Sequence, residues 1–315
     1  MNLRVARVAV EALSPTQVVT GSGELGALAL EGWRGGLAIH PVRAKVGREQ
    51  TQELGRRLLG EQLDAMMIVG GDGTMADVAE MCLDQAGSPP LLGVGVGSTN
   101  VGRLITCTGE AASRLHPGRL RAETVGTILA SCNGQRLGVG FNDAVIGFTV
   151  VGTLAGRARD LDAAKKREGV DVLGTPKGIG TQGTRVVRIG PKGRRLIASG
   201  RSVGSVVLGF AERSFFGKAV TGGICLSTLT GLPAGLLVCG RPLVRVELEA
   251  KAFLQWPPLM SWFIGVDEGS RILIEHARRG AALCADGTPL QVLRTSDRVE
   301  LAVRRAAMTV LRMGA

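Results

Sequence analysis

The stretch Gly70-Gly71-Asp72-Gly73-Thr74 separates an apolar run from a helix-like one, and few architectures accommodate that junction. Ala65-Met66-Met67-Ile68-Val69 is apolar on both faces, as a buried strand of a parallel sheet must be. Gly70 and Gly71 then let the backbone turn without a Cβ penalty. Thr74 is placed to cap a helix whose inner face would be Met75, Val78, Ala79 and Cys82. A strand, glycine turn and helix in that order aim main-chain N–H groups at whatever lies beyond the carboxyl end of the strand, and such a site favours phosphate. Asp72 is the odd member, because a carboxylate among phosphates repels them unless it binds a metal or removes a proton. The combination points to phosphoryl transfer. Glycine-rich turns are common in α/β proteins and Asp often bonds only its own backbone, but five defined residues between a strand and a capped helix are more specific than a lone G-x-G.

The same alternation extends over the first ~115 residues, on the length scale of α/β units. Residues 16–20 and 37–40 read as short strands, 49–62 as a helix with Leu54, Leu58 and Leu59 on one face, 75–85 as the helix after the turn, and 91–96 as the next strand. The expected fold class is an α/β domain with a doubly wound parallel sheet, its functional loops at the carboxyl edge. The strand over 91–96 runs into Gly93-Val94-Gly95-Val96-Gly97-Ser98-Thr99-Asn100-Val101-Gly102. That stretch does not fit a dinucleotide fingerprint cleanly. It is either a second phosphate- or ribose-facing loop or a small-residue strand packed tightly under a helix.

From about Arg136 the texture changes to short Val-, Ile- and Leu-rich runs between Gly-, Pro- and Arg-rich turns: 137–141, 184–189, 202–210, 236–238, 244–248, 272–274 and 299–303. Such spacing predicts an all-β second domain, a sandwich or distorted barrel, with one helix over 156–168. The expected division is an α/β phosphate-donor domain over 1–115 and a β-rich acceptor-binding domain over 116–315, whose last strands can return to the first.

Composition narrows the partners. Tyr is absent and aromatics make up 3% of the chain, so base-stacking platforms are scarce and nucleic acid is not the expected partner. The net charge of +11 is scattered in ones and twos, which suits a solvated surface that also attracts phosphates. The six cysteines form no C-x-x-C pair and sit mostly in apolar runs, as reduced thiols of a cytoplasmic protein would. The three histidines are separated in sequence, so neither a structural zinc site nor a Cys–His nucleophile is suggested. The N-terminal residues lack the apolar core of a signal peptide, and no run approaches a membrane span.

These loops together resemble the NAD kinase and diacylglycerol kinase superfamily. Four further features carry the resemblance. Phe141-Asn142-Asp143-Ala144-Val145-Ile146 is similar to the family's Asn-Glu motif, with Asp143 in place of Glu. The segment from Thr221 to Gly231 is similar to a Gly-Asp-Gly segment ending in Ser-Thr-Pro-Thr-Gly, but has Gly222 for Asp and Leu229 for Pro. Ala285-Asp286-Gly287 looks like the Asp-Gly that precedes the family's final strands. Residues 18–26 and 150–153 look most like the acetoin-catabolism X proteins, the ATP–NAD kinase-like branch. Two departures stand out: the family's opening strand and Asn-Pro-containing loop have no counterpart here, and Leu232-Pro233-Ala234-Gly235 replaces the Ser-Thr-Ala-Tyr that contacts NAD.

The resemblance implies an active site between the two domains, with ATP as donor and Mg²⁺ or another divalent cation. Asp72 would accept or orient the proton of the attacking hydroxyl. Gly70, Gly71, Gly73, Thr74, Ser98, Thr99 and Asn100 would hold the donor. Asn142, Asp143, Thr228, Thr230, Gly231 and Asp286 would bind the acceptor, with no protein metal ligand assigned. The expected partners are a nucleotide donor and a small hydroxylated acceptor, NAD⁺ favoured, in a cytoplasmic homo-oligomer serving NADP biosynthesis. Other readings stay open: a kinase of another small polyol linked to acetoin or diol catabolism, a diacylglycerol-type lipid kinase, or a binding module without turnover. Residues 252–266, with Phe253, Trp256, Trp262 and Phe263, would meet a bilayer interface in the lipid-kinase reading, and form a strand pair or subunit contact otherwise.

Overall fold

The structure, a computed structural model, describes residues 2–45, 47–97, 102–155, 157–191, 193–210, 231–242 and 260–314. The chain divides into two compact units, residues 1–125 with 306–315, and residues 126–305.

The first unit opens with α1 (Asn2–Leu13), then β1 (Gln17–Gly21), β2 (Gly36–His40), α2 (Gly47–Leu58), β3 (Met66–Gly70), α3 (Asp72–Cys82), β4 (Leu91–Gly95) and β5 (Ile105–Thr108). Its βα strands pair in parallel: β1 with β2, and β4 with both β3 and β5. This is the α/β architecture expected. Strand β4 is buried along its whole length, as a strand covered on both faces must be. Met75, Val78, Ala79 and Cys82 of α3 are buried, as the periodicity predicts. Helices α2 and α3 meet at Gly55, where a Cβ would come within 2.3 Å of Met81 Cε. Helix α1, which the sequence reading did not anticipate, buries Ala9 and Val10 and packs Val5, Val8, Ala12 and Leu13 into a cluster with Leu92, Val94 and Leu115.

Further strands follow: β6 (Leu120–Cys132), β7 (Gln135–Gly140), β8 (Asp143–Gly147), β9 (Thr149–Leu154) and β10 (Arg157–Asp162). After α4 (Ala163–Arg167) come β11 (Arg185–Gly190), β12 (Gly193–Ser199), β13 (Ser205–Phe210), β14 (Ala234–Cys239), β15 (Ser261–Val266), β16 (Arg271–Glu275), β17 (Ala282–Ala285), β18 (Thr288–Val292) and β19 (Arg298–Met313). Within the second unit β12, β11, β16 and β19 pair in that order, and β6 joins β19 to β7. A second sheet runs β15-β14-β13-β8-β17-β18, antiparallel throughout. One core cluster joins Ile128, Val186, Ile272 and Leu301 of the first sheet to Ile146, Val206, Leu208, Leu236 and Leu283 of the second. The β-rich second domain is therefore a sandwich. Val145, Val207, Leu237 and Phe263 make a separate apolar cluster on the second sheet, so β13 and β14 are buried on both faces.

Three local expectations are corrected. Helix α3 begins at Asp72 with Gly71 as its N-cap, so Thr74 lies inside the first turn and does not cap it. The helix expected over 156–168 is instead β10, paired with β9, and the short α4. Asp162 Oδ1 accepts the Lys165 N–H at 2.9 Å, and this cap fixes the start of α4. The helix expected over 49–62 stops at Leu58. Cys82, Cys107, Cys132, Cys239 and Cys284 are buried. Burial pushes the Cys82 thiol up to about 11 and that of Cys239 to about 12. No helix among the described residues is long and apolar enough to cross a membrane. The strand expected over 244–248 lies outside the described residues.

Candidate active site

The donor-side residues sit where β3 passes into α3. Parallel pairing sets Gly70 of β3 beside Gly95 of β4, and the Val96 N–H donates to Gly70 O at 3.0 Å. The two glycine-rich turns therefore leave the same edge of the sheet. Gly71 is extended (φ −88°, ψ 176°) and its carbonyl accepts the Met75 N–H at 3.2 Å, closing the first turn of α3. The main-chain N–H groups of Asp72, Gly73 and Thr74 belong to that turn and have no helical carbonyl behind them. This is the end of the helix that carries partial positive charge.

Each glycine here has its own reason. A Cβ on Gly70 would lie 2.9 Å from Thr74 Cβ, so the turn closes only around a hydrogen at that position. A Cβ on Gly71 would touch Gly97 Cα at 3.6 Å, which is ordinary contact. A Cβ on Gly73 would meet no protein atom within 4 Å. Packing thus requires Gly70, while Gly73 leaves open space that a ligand can enter.

Asp72 Oδ1 accepts the Gly102 N–H at 3.0 Å, tying the first turn to the far end of the second glycine-rich loop. Ser98, Thr99 and Asn100 lie outside the described residues. At its start the 93–102 stretch is tight packing: a Cβ on Gly93 would come within 2.1 Å of Leu104 O and 2.7 Å of Met75 Sδ.

The second unit contains another polar constellation. Asp143 opens β8 and is buried, and Asn142 precedes it half-buried. The Phe210 N–H donates to Asn142 O at 3.0 Å. Asp286 was expected to touch the acceptor, and its carboxylate is engaged by main chain. Oδ2 accepts the Phe141 N–H at 2.7 Å, and Oδ1 accepts those of Asn142 at 2.7 Å and Asp143 at 3.0 Å. Burial first, and the neighbouring Asp143 charge second, push the Asp286 carboxyl up to about 7, against the pull of those three bonds. Gly231 stands in an exposed turn at φ +70°, while Thr228 and Thr230 lie outside the described residues. Leu232 packs on the sheet, with Cδ1 2.1 Å from where a Cβ on Gly265 would stand. Of the segment over 252–266, only 260–266 is described, and 261–266 is β15, paired with β14.

Among the described residues no group of three or more His, Cys, Asp or Glu side chains could hold a metal ion. Asp72 is the carboxylate at the phosphate-type turn. That donor set fits Mg²⁺ held largely by substrate phosphates, which needs only one or two protein carboxylates.

Residues 4–102 match the family model described as the ATP-NAD kinase N-terminal domain. An uncharacterised protein of Archaeoglobus fulgidus is 27% identical over 281 residues, covering 88% of this chain and 84% of that one. The crystal structure of yeast NADH kinase complexed with NADH superposes with a TM-score of 0.53 at 12% identity, covering 99% of this chain and 80% of that one. A putative diacylglycerol kinase from Bacillus anthracis gives a TM-score of 0.48 at 14% identity, over 96% and 91% of the two chains.

Proposed function

We propose that this chain, a member of the NAD kinase and diacylglycerol kinase superfamily, is an ATP-dependent kinase that phosphorylates a hydroxyl, with the 2′-hydroxyl of NAD⁺ the favoured acceptor. The observation that carries the reading is the turn from Gly70 to Thr74. There the Asp72 carboxylate stands at a helix N-terminus where Gly73 leaves room for an anion. The family match spans this turn.

In this mechanism the N–H groups of Gly71, Gly73 and Thr74 cradle the donor phosphates. Mg²⁺, when bound, neutralises charge between the donor phosphates. Asp72 accepts the proton of the attacking hydroxyl or orients it, a role worth roughly 10²–10⁴-fold. Positioning and charge neutralisation supply most of the remaining acceleration in phosphoryl transfer. Asn100 steadies the donor or its ribose. Asn142 and Asp143 bind vicinal hydroxyls of the acceptor, for which an amide beside a carboxylate offers both donors and acceptors. The chain has no Walker loop, because Gly217-Lys218 leads into Ala219.

The test is to incubate purified protein with ATP, Mg²⁺ and NAD⁺ and to measure NADP⁺. Formation of NADP⁺ that requires Asp72 supports the proposal. Absence of phosphotransfer to NAD⁺, NADH, nucleosides and small polyols alike would overturn it.

A further inference from the structure

We infer that Asp286 is a positioning residue of the acceptor site, whose carboxylate clamps the main chain of Phe141, Asn142 and Asp143 and so sets where the Asn142 and Asp143 side chains stand. The inference rests on the reading above that this pair binds the acceptor.

Four main-chain bonds join the two segments: the three N–H groups donating to the Asp286 carboxylate, and the Asp286 N–H donating to Asp143 O at 3.1 Å. The clamped turn is tight, since a Cβ on Gly140 would come within 2.4 Å of Asp143 O. Asp286 and Gly287 are the two residues between β17 and β18, with Ala285 opposite Thr288. Both have positive φ, +45° and +77°. A two-residue hairpin turn with both central residues left-handed is served equally well by Asn-Gly and Asp-Gly. The turn therefore does not explain the carboxylate.

A carboxylate is also the costlier choice here. The facing charge is Asp143 at the start of β8, while β7 presents Gly140 and the chain leaves through Gly287 and Thr288. A buried acid beside another acid pays desolvation and repulsion that an amide would avoid. What the carboxylate supplies and an amide does not is two acceptor oxygens with no N–H of its own, enough for all three donors.

The test compares wild type with Asp286→Asn, which keeps the hairpin turn but turns an NH₂ toward main-chain N–H groups. NAD⁺ and ATP are titrated separately into ¹⁵N-labelled protein, following the amides of Phe141, Asn142 and Asp143. The expected result is a weakening of NAD⁺ binding by about 10-fold or more, equal to 1.4 kcal/mol at tenfold, with ATP affinity unchanged. Equal NAD⁺ affinity in the two proteins, an effect confined to ATP, or no response of the Asn142 amide to NAD⁺ in wild type would each overturn the inference. Should Asp286→Asn not fold, wild type provides the readout. The Phe141, Asn142 and Asp143 amides should all shift as NAD⁺ is added and stay unmoved by ATP, and amides that ignore NAD⁺ or respond equally to both would overturn the inference. Wild type that binds NAD⁺ at these amides yet transfers phosphate to none of NAD⁺, NADH, nucleosides and small polyols would sink the kinase reading and leave the positioning role standing.

Discussion

At the scale of single residues, two aspartates do opposite things with the same group. Asp72 stands at the start of α3 and lends one oxygen to the Gly102 N–H. Asn can keep that acceptor while losing the ability to take a proton. Asp72→Asn should therefore leave the fold intact and lower turnover by at least ~100-fold, the lower end for a lost general base. Circular dichroism alongside the kinase assay checks both halves, and near wild-type turnover would remove Asp72 from the chemistry. Asp286 is instead an acid whose folded-state pKa lies far above its ordinary 3.8. The stabilising contribution of such a group is complete below about pH 4 and is lost as pH rises to about 7. The difference in unfolding free energy between wild type and Asp286→Asn should thus move against wild type from pH 4 to 7 and level off above. Urea melts across that range measure it; a difference moving the other way would show that the three N–H bonds outweigh burial and the Asp143 charge.

At the scale of elements, close approach decides which glycines can change. A Cβ on Gly93 would press on the Leu104 carbonyl, so β4 and β5 would have to separate. Gly93→Ala should cost about 1–3 kcal/mol in a denaturant melt, as overpacking usually does. A Cβ on Gly55 meets only the mobile end of Met81, and Ala is the better helix former by up to about 1 kcal/mol. Gly55→Ala should stay within about 1 kcal/mol of wild type. Equal losses at the two positions would mean that α2 and α3 are as rigidly packed as β4 and β5. The elements also show what a sequence can and cannot display. The strand, glycine turn and helix around Asp72 were legible because the apolar residues on both faces of β3 and the 3.6-residue period of α3 leave clear patterns. The start of α3 was misplaced because Thr74 is a good capping residue, yet Gly71 takes that position. Arg157-Ala158-Arg159-Asp160-Leu161 carries good helix formers, and its pairing with β9, a tertiary fact, overrides that propensity. Helix α1 did leave a signal, Val5, Ala9 and Ala12 at helical spacing, but a single short stripe without a cap does not separate a packed helix from a loop.

At the scale of the whole molecule, the sandwich was legible from short apolar runs between turns, and the donor turn from its five residues. The Asp286 clamp was not legible, because it joins residues more than a hundred positions apart through main-chain N–H groups that no side-chain pattern records. Substrate choice follows from what the second unit spends on packing. Leu232 covers Gly265, and Ala234 and Gly235 are buried in β14 between β13 and β15. These positions give the sheet its density and offer no side-chain hydrogen bond to a nucleotide. Rejection of a wrong acceptor by large factors requires buried polar groups that the wrong acceptor leaves unpaired. A pocket with few such groups discriminates weakly, so phosphorylation of NAD⁺ should be slow or of high KM, and small polyols should compete with it. ATP consumption measured across NAD⁺, NADH, nucleosides, diacylglycerol and C4–C6 polyols decides the matter. Efficient and exclusive use of NAD⁺ would mean that polar groups elsewhere in the chain, outside 232–235, rebuild the acceptor pocket.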